Sequence, residues 1–159
     1  MGQYNKYSYL GNSYPGVPDS WKPIVLDMLK DIDKIVRPWF IPRFVCNWIQ
    51  WLTMRNSGIS INNYFWYNIL SKIRKENTIF DIKDKYATLR VYGSFSDIVQ
   101  GIITDAENRC ENTCEYCGSN NNVTDIVVKG WVTNLCEECR IVVKNKKKNG
   151  SNSGSSTSN

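Results

Sequence analysis

The sequence predicts an α+β fold in which helices pack with a small β-hairpin and a four-cysteine ribbon follows at the C-terminus. Three observations carry that prediction. Apolar residues recur at helical spacing over residues 24–36 and in three later stretches. Two short alternating runs, residues 78–82 and 88–93, lie close enough in the chain to pair as a hairpin. Cys114, Cys117, Cys136 and Cys139 form two Cys-x-x-Cys pairs separated by eighteen residues, a spacing that closes around one Zn²⁺.

Residues 1–19 read as an extended, tyrosine-rich arm. They hold Tyr4, Tyr7, Tyr9 and Tyr14, and Gly11, Pro15, Gly16 and Pro18 break regular structure. An α+β core over residues 20–112 comes next. Ser20 reads as an N-cap with Pro23 in the first turn. Ile24, Val25, Met28, Leu29, Ile32, Ile35 and Val36 then trace an apolar stripe that ends at Arg37-Pro38, with Asp27, Lys30, Asp31, Asp33 and Lys34 on the outer face. Helices are predicted over residues 43–55, with Phe44, Trp48, Trp51 and Leu52 on one side, and over 62–75, with Phe65, Trp66, Ile69, Leu70 and Ile73 inward. Four of the six tryptophans fall between residues 39 and 66. Helical periodicity predicts that these rings are buried core, since a stacking platform for bases needs exposed ones.

The hairpin strands flank a connection at residues 83–87. Ser96 caps the next helix, Asp97 suits its positive end, and Ile98, Val99, Ile102, Ile103, Ala106 and Cys110 form its buried stripe. That helix runs directly into the first cysteine pair, coupling the ribbon (residues 113–143) to the core. In the first pair Gly118 is free to take positive φ, so that backbone amides turn toward the sulfurs. The second pair follows the strand-like run 131–135. Residues 144–159 are a tail in which Lys144, Lys146, Lys147 and Lys148 sit on a short helix before a Ser/Asn/Gly-rich coil.

The net charge of +5 is carried by Arg140 and those four lysines, because residues 140–159 contain no acid. The rest balances to zero, and four thiolates on Zn²⁺ add about −2 to it. This is a neutral globule with a basic end. The nucleic-acid candidates are accordingly few: Lys83, Lys85 and Arg90 on the hairpin, and Lys144, Lys146, Lys147 and Lys148 on the tail, all offering non-specific attraction to phosphate.

Catalysis has little to stand on. The chain has no histidine, which removes the commonest general base and every Ser/Cys-His arrangement. A Cys₄ site is closed, so its metal is structural. No phosphate-cradling glycine loop is present. The pairs Asp81/Asp84 and Asp31/Asp33 read as solvated faces, and Cys46 as a small core residue. Cys110, four residues before Cys114, is an alternate ligand by position. The first twenty residues lack a secretory pattern and no apolar run reaches membrane-spanning length, so an intracellular setting with reduced, metal-binding thiols is expected, without membrane insertion.

Residues 83–92, Lys-Asp-Lys-Tyr-Ala-Thr-Leu-Arg-Val-Tyr, resemble a segment reading KEKFGTLRFY in small uncharacterised proteins of phages and bacteria. Those proteins open with a Gly-Trp-x-x-Leu-type helix, similar to Ser20-Trp21-Lys22-Pro23-Ile24. They close with a helix into Cys-x-x-Cys-Gly and a Gly-Trp-x-x-x-Leu-Cys element, which Gly130, Trp131, Leu135 and Cys136 match. This chain departs at Ala87, where the pattern has glycine, and in its aromatic stretch 39–66. The resemblance implies an architecture over residues 20–140 and a phage or viral setting, with no activity attached. Together these readings make the expected role structural: a component docked into a virion-type assembly through aromatic anchors and the tyrosine arm, in the host cytoplasm or the virion. The alternative is a nucleic-acid-binding regulator that uses the basic end.

Overall fold

The computed structural model of the chain describes residues 3–12, 14–55 and 61–150. It is α+β, as expected. Helices α1 (Lys22–Val36), α2 (Arg43–Arg55), α3 (Ile61–Arg74), α4 (Asp97–Glu111) and α5 (Glu137–Gly150) accompany a three-stranded sheet, β1 (Pro15–Gly16), β2 (Thr78–Lys85) and β3 (Thr88–Ser94), and a two-stranded ribbon, β4 (Thr124–Val128) and β5 (Trp131–Leu135).

The core is organised by α1, whose stripe Ile24, Val25, Met28, Leu29, Ile32 and Val36 is buried as its spacing predicts. Around it close Leu70 and Ile73 of α3, Ile79, Ile82 and Leu89 of the sheet, and Val99, Ile103, Ala106 and Cys110 of α4. Truncating one such side chain, as in Leu29→Ala, costs about 2–5 kcal/mol. The Ser/Asn-rich segment 151–159 lies outside the described residues.

The N-terminal segment is not an extended arm. Residues Gln3–Leu10 wind into a 3₁₀ helix that buries Tyr7, Tyr9 and Leu10. Asn47 of α2 secures it, its side-chain oxygen accepting from Tyr9 N (3.0 Å) and its amide donating to the carbonyls of Asn5 and Lys6 (3.2 Å each). The chain then runs beside β2. Gly11, at φ +118°, approaches Ile79 so closely that any Cβ there would strike the Ile79 carbonyl, and Pro15–Gly16 pairs in parallel with Ile82–Lys83. Residues that break local structure still pair when a neighbouring strand supplies the partner.

Ser20 does not cap α1. Trp21 holds the cap position, and the Ser20 hydroxyl donates instead to the carbonyl of Glu115 (2.8 Å). Ser96 does stand at the cap of α4, but its side chain makes no cap bond; its backbone N–H donates to Asn77 Oδ1 at 2.8 Å. Asp33, expected outside, is fully buried. The Tyr9 hydroxyl (2.8 Å), Arg37 Nε (3.0 Å) and Arg43 Nε (2.9 Å) all donate to its carboxylate, which compensates for the loss of water.

The aromatic stretch behaves opposite to expectation. The stripe Phe44, Trp48 and Trp51 of α2 faces outward, while Cys46, Ile49 and Gln50 face the core. On α3, Leu70 and Ile73 are buried and Trp66 and Ile69 half-buried as expected, but Phe65 is exposed. Trp66 packs edge-on to Trp48 (centroids 6.1 Å) and Phe65 (5.3 Å). Periodicity marks a stripe without saying which stripe the neighbours cover. Here Arg74, itself buried, spans from Gln50 to the Tyr9 carbonyl, fixing the polar side of α2 inward.

The β2–β3 hairpin is longer than its alternation suggests. Residues 83–85 continue β2, and the turn is the pair Tyr86 (φ +54°) and Ala87 (φ +59°), with Lys85 opposite Thr88. Two left-handed residues in a two-residue loop make a type I′ turn. Glycine at position 87 would suit such a turn better than alanine.

Candidate metal centre

The ribbon begins where α4 ends. Asn112 terminates that helix, and the Thr113 hydroxyl turns back to the Arg109 carbonyl at 2.7 Å. Cys114 follows at once, so the first ligand candidate is fixed to a core helix by two residues. Its knuckle is a tight loop: Gly118 N donates to the Cys114 carbonyl (2.9 Å), Cys114 N to the Ser119 carbonyl (2.8 Å). Gly118 has φ +77°, and a Cβ there would meet Ser20 Cβ only at ordinary contact distance (3.8 Å), so backbone conformation rather than crowding calls for glycine. Glu115 stitches the knuckle to β5, its N–H donating to the Asn134 carbonyl (2.9 Å) while its carboxylate accepts from Asn134 N (2.7 Å).

The second knuckle comes from a helix start. The β4–β5 hairpin turns at Lys129 (φ +52°) and Gly130 (φ +87°), and β5 delivers Cys136 to the N-terminus of α5, where its carbonyl accepts from Arg140 N at 3.0 Å. Cys139 lies in the first turn.

The four sulfurs of Cys114, Cys117, Cys136 and Cys139 lie within 4.8 Å of one another, and the Cys117 and Cys136 sulfurs are 3.5 Å apart. None of the chain's six cysteines is in a disulfide. Tetrahedral ligation at the usual ~2.3 Å bond sets ligand sulfurs about 3.8 Å apart, so this cluster can hold one metal ion with little rearrangement. Its electrostatics point the same way. Burial raises the Cys114 thiol, but the backbone N–H groups of Cys136, Cys117 and Tyr116 outweigh it and bring it down to about 6. The Ser119 amide lowers Cys117, yet the neighbouring sulfurs of Cys136 and Cys114 leave it raised. Cys139 is pushed up by burial and then by the other three sulfurs. One thiolate is welcome there and a second is not, until a divalent cation neutralises them.

Cys110 is not among the cluster. It is buried in the main core, and burial drives its thiol up to about 12. Cys46 is likewise buried and raised by burial. Both are core thiols.

The ribbon has little hydrophobic support of its own: Cys114, Leu135 and Cys136 are its buried apolar residues, flanked by Val123, Ile126, Val128 and Val143. Three bonds fasten it to the core. The Trp21 indole donates to the Thr113 carbonyl (3.0 Å), the Ser20 hydroxyl to the Glu115 carbonyl, and the Asn134 side chain to the Ala87 carbonyl at the hairpin turn (2.6 Å). Sequence reasoning missed all three, because each joins residues far apart in the chain.

The remaining candidates separate into two groups. Lys83, Lys85 and Arg90 are all exposed on β2 and β3, and Lys83 stands directly across from Arg90. Lys144 is exposed on α5, whose backbone continues helical through 146–148; the side chains of Lys146, Lys147 and Lys148 lie outside the described residues. Arg140 is engaged, donating to the Thr124 hydroxyl (2.7 Å) and the Asn122 carbonyl (3.2 Å). Of the acid pairs, Asp81 bonds Lys83 at 2.7 Å. Asp84 turns inward; burial raises its carboxyl against the opposing Ala87 amide, and its Oδ1 is buried without a partner. Neither Asp33 nor Asp84 is therefore the solvated carboxylate expected.

Fold and site together define an α+β protein with a four-cysteine module that can bind a metal. No protein family matches the chain, and no curated protein or solved structure is significantly similar to it. Among the described residues, no helix is long and apolar enough to cross a membrane.

Proposed function

We propose that this chain is a non-enzymatic protein whose C-terminal module is a zinc ribbon shaped by one structural Zn²⁺, and that it serves as an interaction component docked into a larger, virion-type assembly inside the cell. Zinc is favoured because four soft thiolates at tetrahedral separations suit it and leave no open position for chemistry. The phage or viral setting rests on the resemblance at residues 83–92. The docking role rests on one observation, the outward aromatic band on α2, α3 and the connection before them. Trp39 is 91% exposed and Phe44 72%, joined by Phe40, Trp48, Trp51 and Phe65. Large exposed rings in one band are the usual anchors of a protein interface. Residues 34–75, which carry the band, contain no acid, so it suits a neutral or acidic partner surface. The N-terminal tyrosines contribute less than expected, since Tyr7 and Tyr9 are buried.

Sedimentation tests this. In extracts of cells that encode the chain, the wild type should travel with a large complex at moderate salt. The variant Phe44→Ser/Trp48→Ser/Trp51→Ser should travel as a folded protein of 18.4 kDa. Unchanged incorporation of that variant defeats the reading.

A second reading is nucleic-acid binding, by the basic α5 and by the hairpin. The grouping of Lys83, Lys85 and Arg90 on one exposed face favours it.

A further inference from the structure

We infer that the outer face of the β2–β3 hairpin is a stacking platform for single-stranded nucleic acid; this rests on the second of the two readings above and assigns it a site. The face holds three exposed rings, Tyr86 (74%), Phe80 (63%) and Tyr92 (42%), and three cations, Lys83, Lys85 and Arg90. They are ordered along the hairpin. Phe80 and Tyr92 lie near its open end, Lys83 and Arg90 face each other in the middle, Lys85 comes next, and Tyr86 is at the tip. At ~3.3 Å per residue the six steps from Phe80 to Tyr86 span about 20 Å.

Two features of this face work against folding. Lys83 and Arg90 are direct cross-strand neighbours, an arrangement of like charges that destabilises a hairpin. Asp81 pairs with Lys83 (2.7 Å) and Glu107 of α4 attracts Arg90 at longer range, but among the described residues neither Lys85 nor Arg90 forms a close ion pair. Tyr86 occupies a left-handed turn position at φ +54°, where asparagine or glycine is far better suited. A bulky residue held in that conformation and pointed at solvent is typical of a binding position.

A single strand matches the pattern because it offers flat apolar faces and phosphates in alternation. Its bases can lie on the rings while the cations take the backbone. The ammonium groups already ride over the rings, Lys83 Nζ at 4.8 Å from the Tyr92 centroid and Lys85 Nζ at 5.7 Å from that of Tyr86. A short swing moves them from ring to phosphate. A duplex hides its base faces, and an acidic peptide supplies charge without them.

Fluorescence anisotropy of the full chain tests the assignment, using labelled oligothymidylate and oligouridylate of about 15 nucleotides, a mixed-sequence duplex, and vesicles of anionic phospholipid. The single strands should bind in preference to the duplex, with log affinity falling on log salt with a slope of about −2 for three phosphate contacts. Arg90→Gln should flatten that slope by about 0.7. Tyr92→Leu should weaken binding by roughly 5- to 100-fold without changing the slope. Tyr86→Asn should do the same while raising the melting temperature by about 2 °C, a gain that a purely structural tyrosine would not give.

Oligonucleotide binding that ignores these hairpin substitutions but vanishes in the Lys144→Gln/Lys146→Gln/Lys147→Gln/Lys148→Gln variant overturns the platform and leaves the second reading standing. Equal affinity for duplex also overturns the platform. Absence of binding to every oligonucleotide overturns both, as does capture of the chain by the vesicles alone.

Discussion

Asp33 shows how one side chain organises half of this core. Burial alone would raise its carboxyl, but the hydrogen bonds from Arg43, Arg37 and Tyr9 outweigh it and hold it below the usual range. Its charge is thus kept in the folded state, linking the start of the chain, α1 and α2. Asp33→Asn leaves two guanidinium groups facing a neutral amide, and the expected loss is about 3–5 kcal/mol, seen in chemical denaturation as a lower midpoint at unchanged slope. The pH dependence has a definite sign. The folded value lies below the unfolded one of about 3.9, so this stabilisation is fully present above pH ~4 and is lost as pH falls through the folded value. Wild type should therefore show a steep acid limb below pH ~4 that is shallower in Asp33→Asn. Tyr9→Phe removes a single donor and should cost about 1.5–3 kcal/mol. None of this was legible in the sequence, where Asp33 sits between Asp31 and Lys34 in an ordinary charged run and its partner Arg43 arrives from another helix.

The elements were read more successfully than their faces. The apolar stripe of α1 faces the core, and that of α4 is buried at Val99, Ile103, Ala106 and Cys110, although Ile98, expected with them, is 67% exposed in the first turn of the helix; the hairpin alternates, and its strands pair. In α2 two candidate stripes compete, and the more aromatic one, Phe44, Trp48 and Trp51, faces solvent while Cys46 and Ile49 go inward. Local pattern could not decide this, because the choice is made by contact with the N-terminal 3₁₀ helix and by the Gln50–Arg74 bond. The consequence is measurable. Phe44→Gln should leave stability within about 0.5 kcal/mol of wild type, whereas Ile49→Ala should lose about 2–5 kcal/mol, compared by urea denaturation. The reverse order would mean that α2 is turned by half a revolution. Turn chemistry hid the rest: Tyr86-Ala87 lacks the Asn-Gly signal of a type I′ loop, so β2 reads too short, and Pro15–Gly16 reads as a break although β2 pairs with it.

At the scale of the whole molecule, two bodies of unequal strength share one chain. The helix–sheet core buries a continuous cluster of large residues, while the ribbon's apolar cluster has three buried members and relies on its sulfurs. The four cysteines were fully legible from their spacing, because metal ligation imposes a pattern that no tertiary contact needs to complete; the bonds from Ser20, Trp21 and Asn134 that fasten the ribbon to the core were not. A strong chelator should unfold residues 114–150 while the core keeps its helices, read by hydrogen exchange as loss of protection confined to that segment. Cys117→Ser should produce the same change without chelator. Native mass spectrometry of the intact chain under reducing-agent-free conditions tests the metal centre most directly. The account predicts one bound Zn²⁺ per chain, displacing the protons of the ligand thiols, with Cys46 and Cys110 remaining free thiols. A metal-free mass, or one lowered by disulfide formation between Cys114, Cys117, Cys136 and Cys139, would contradict it.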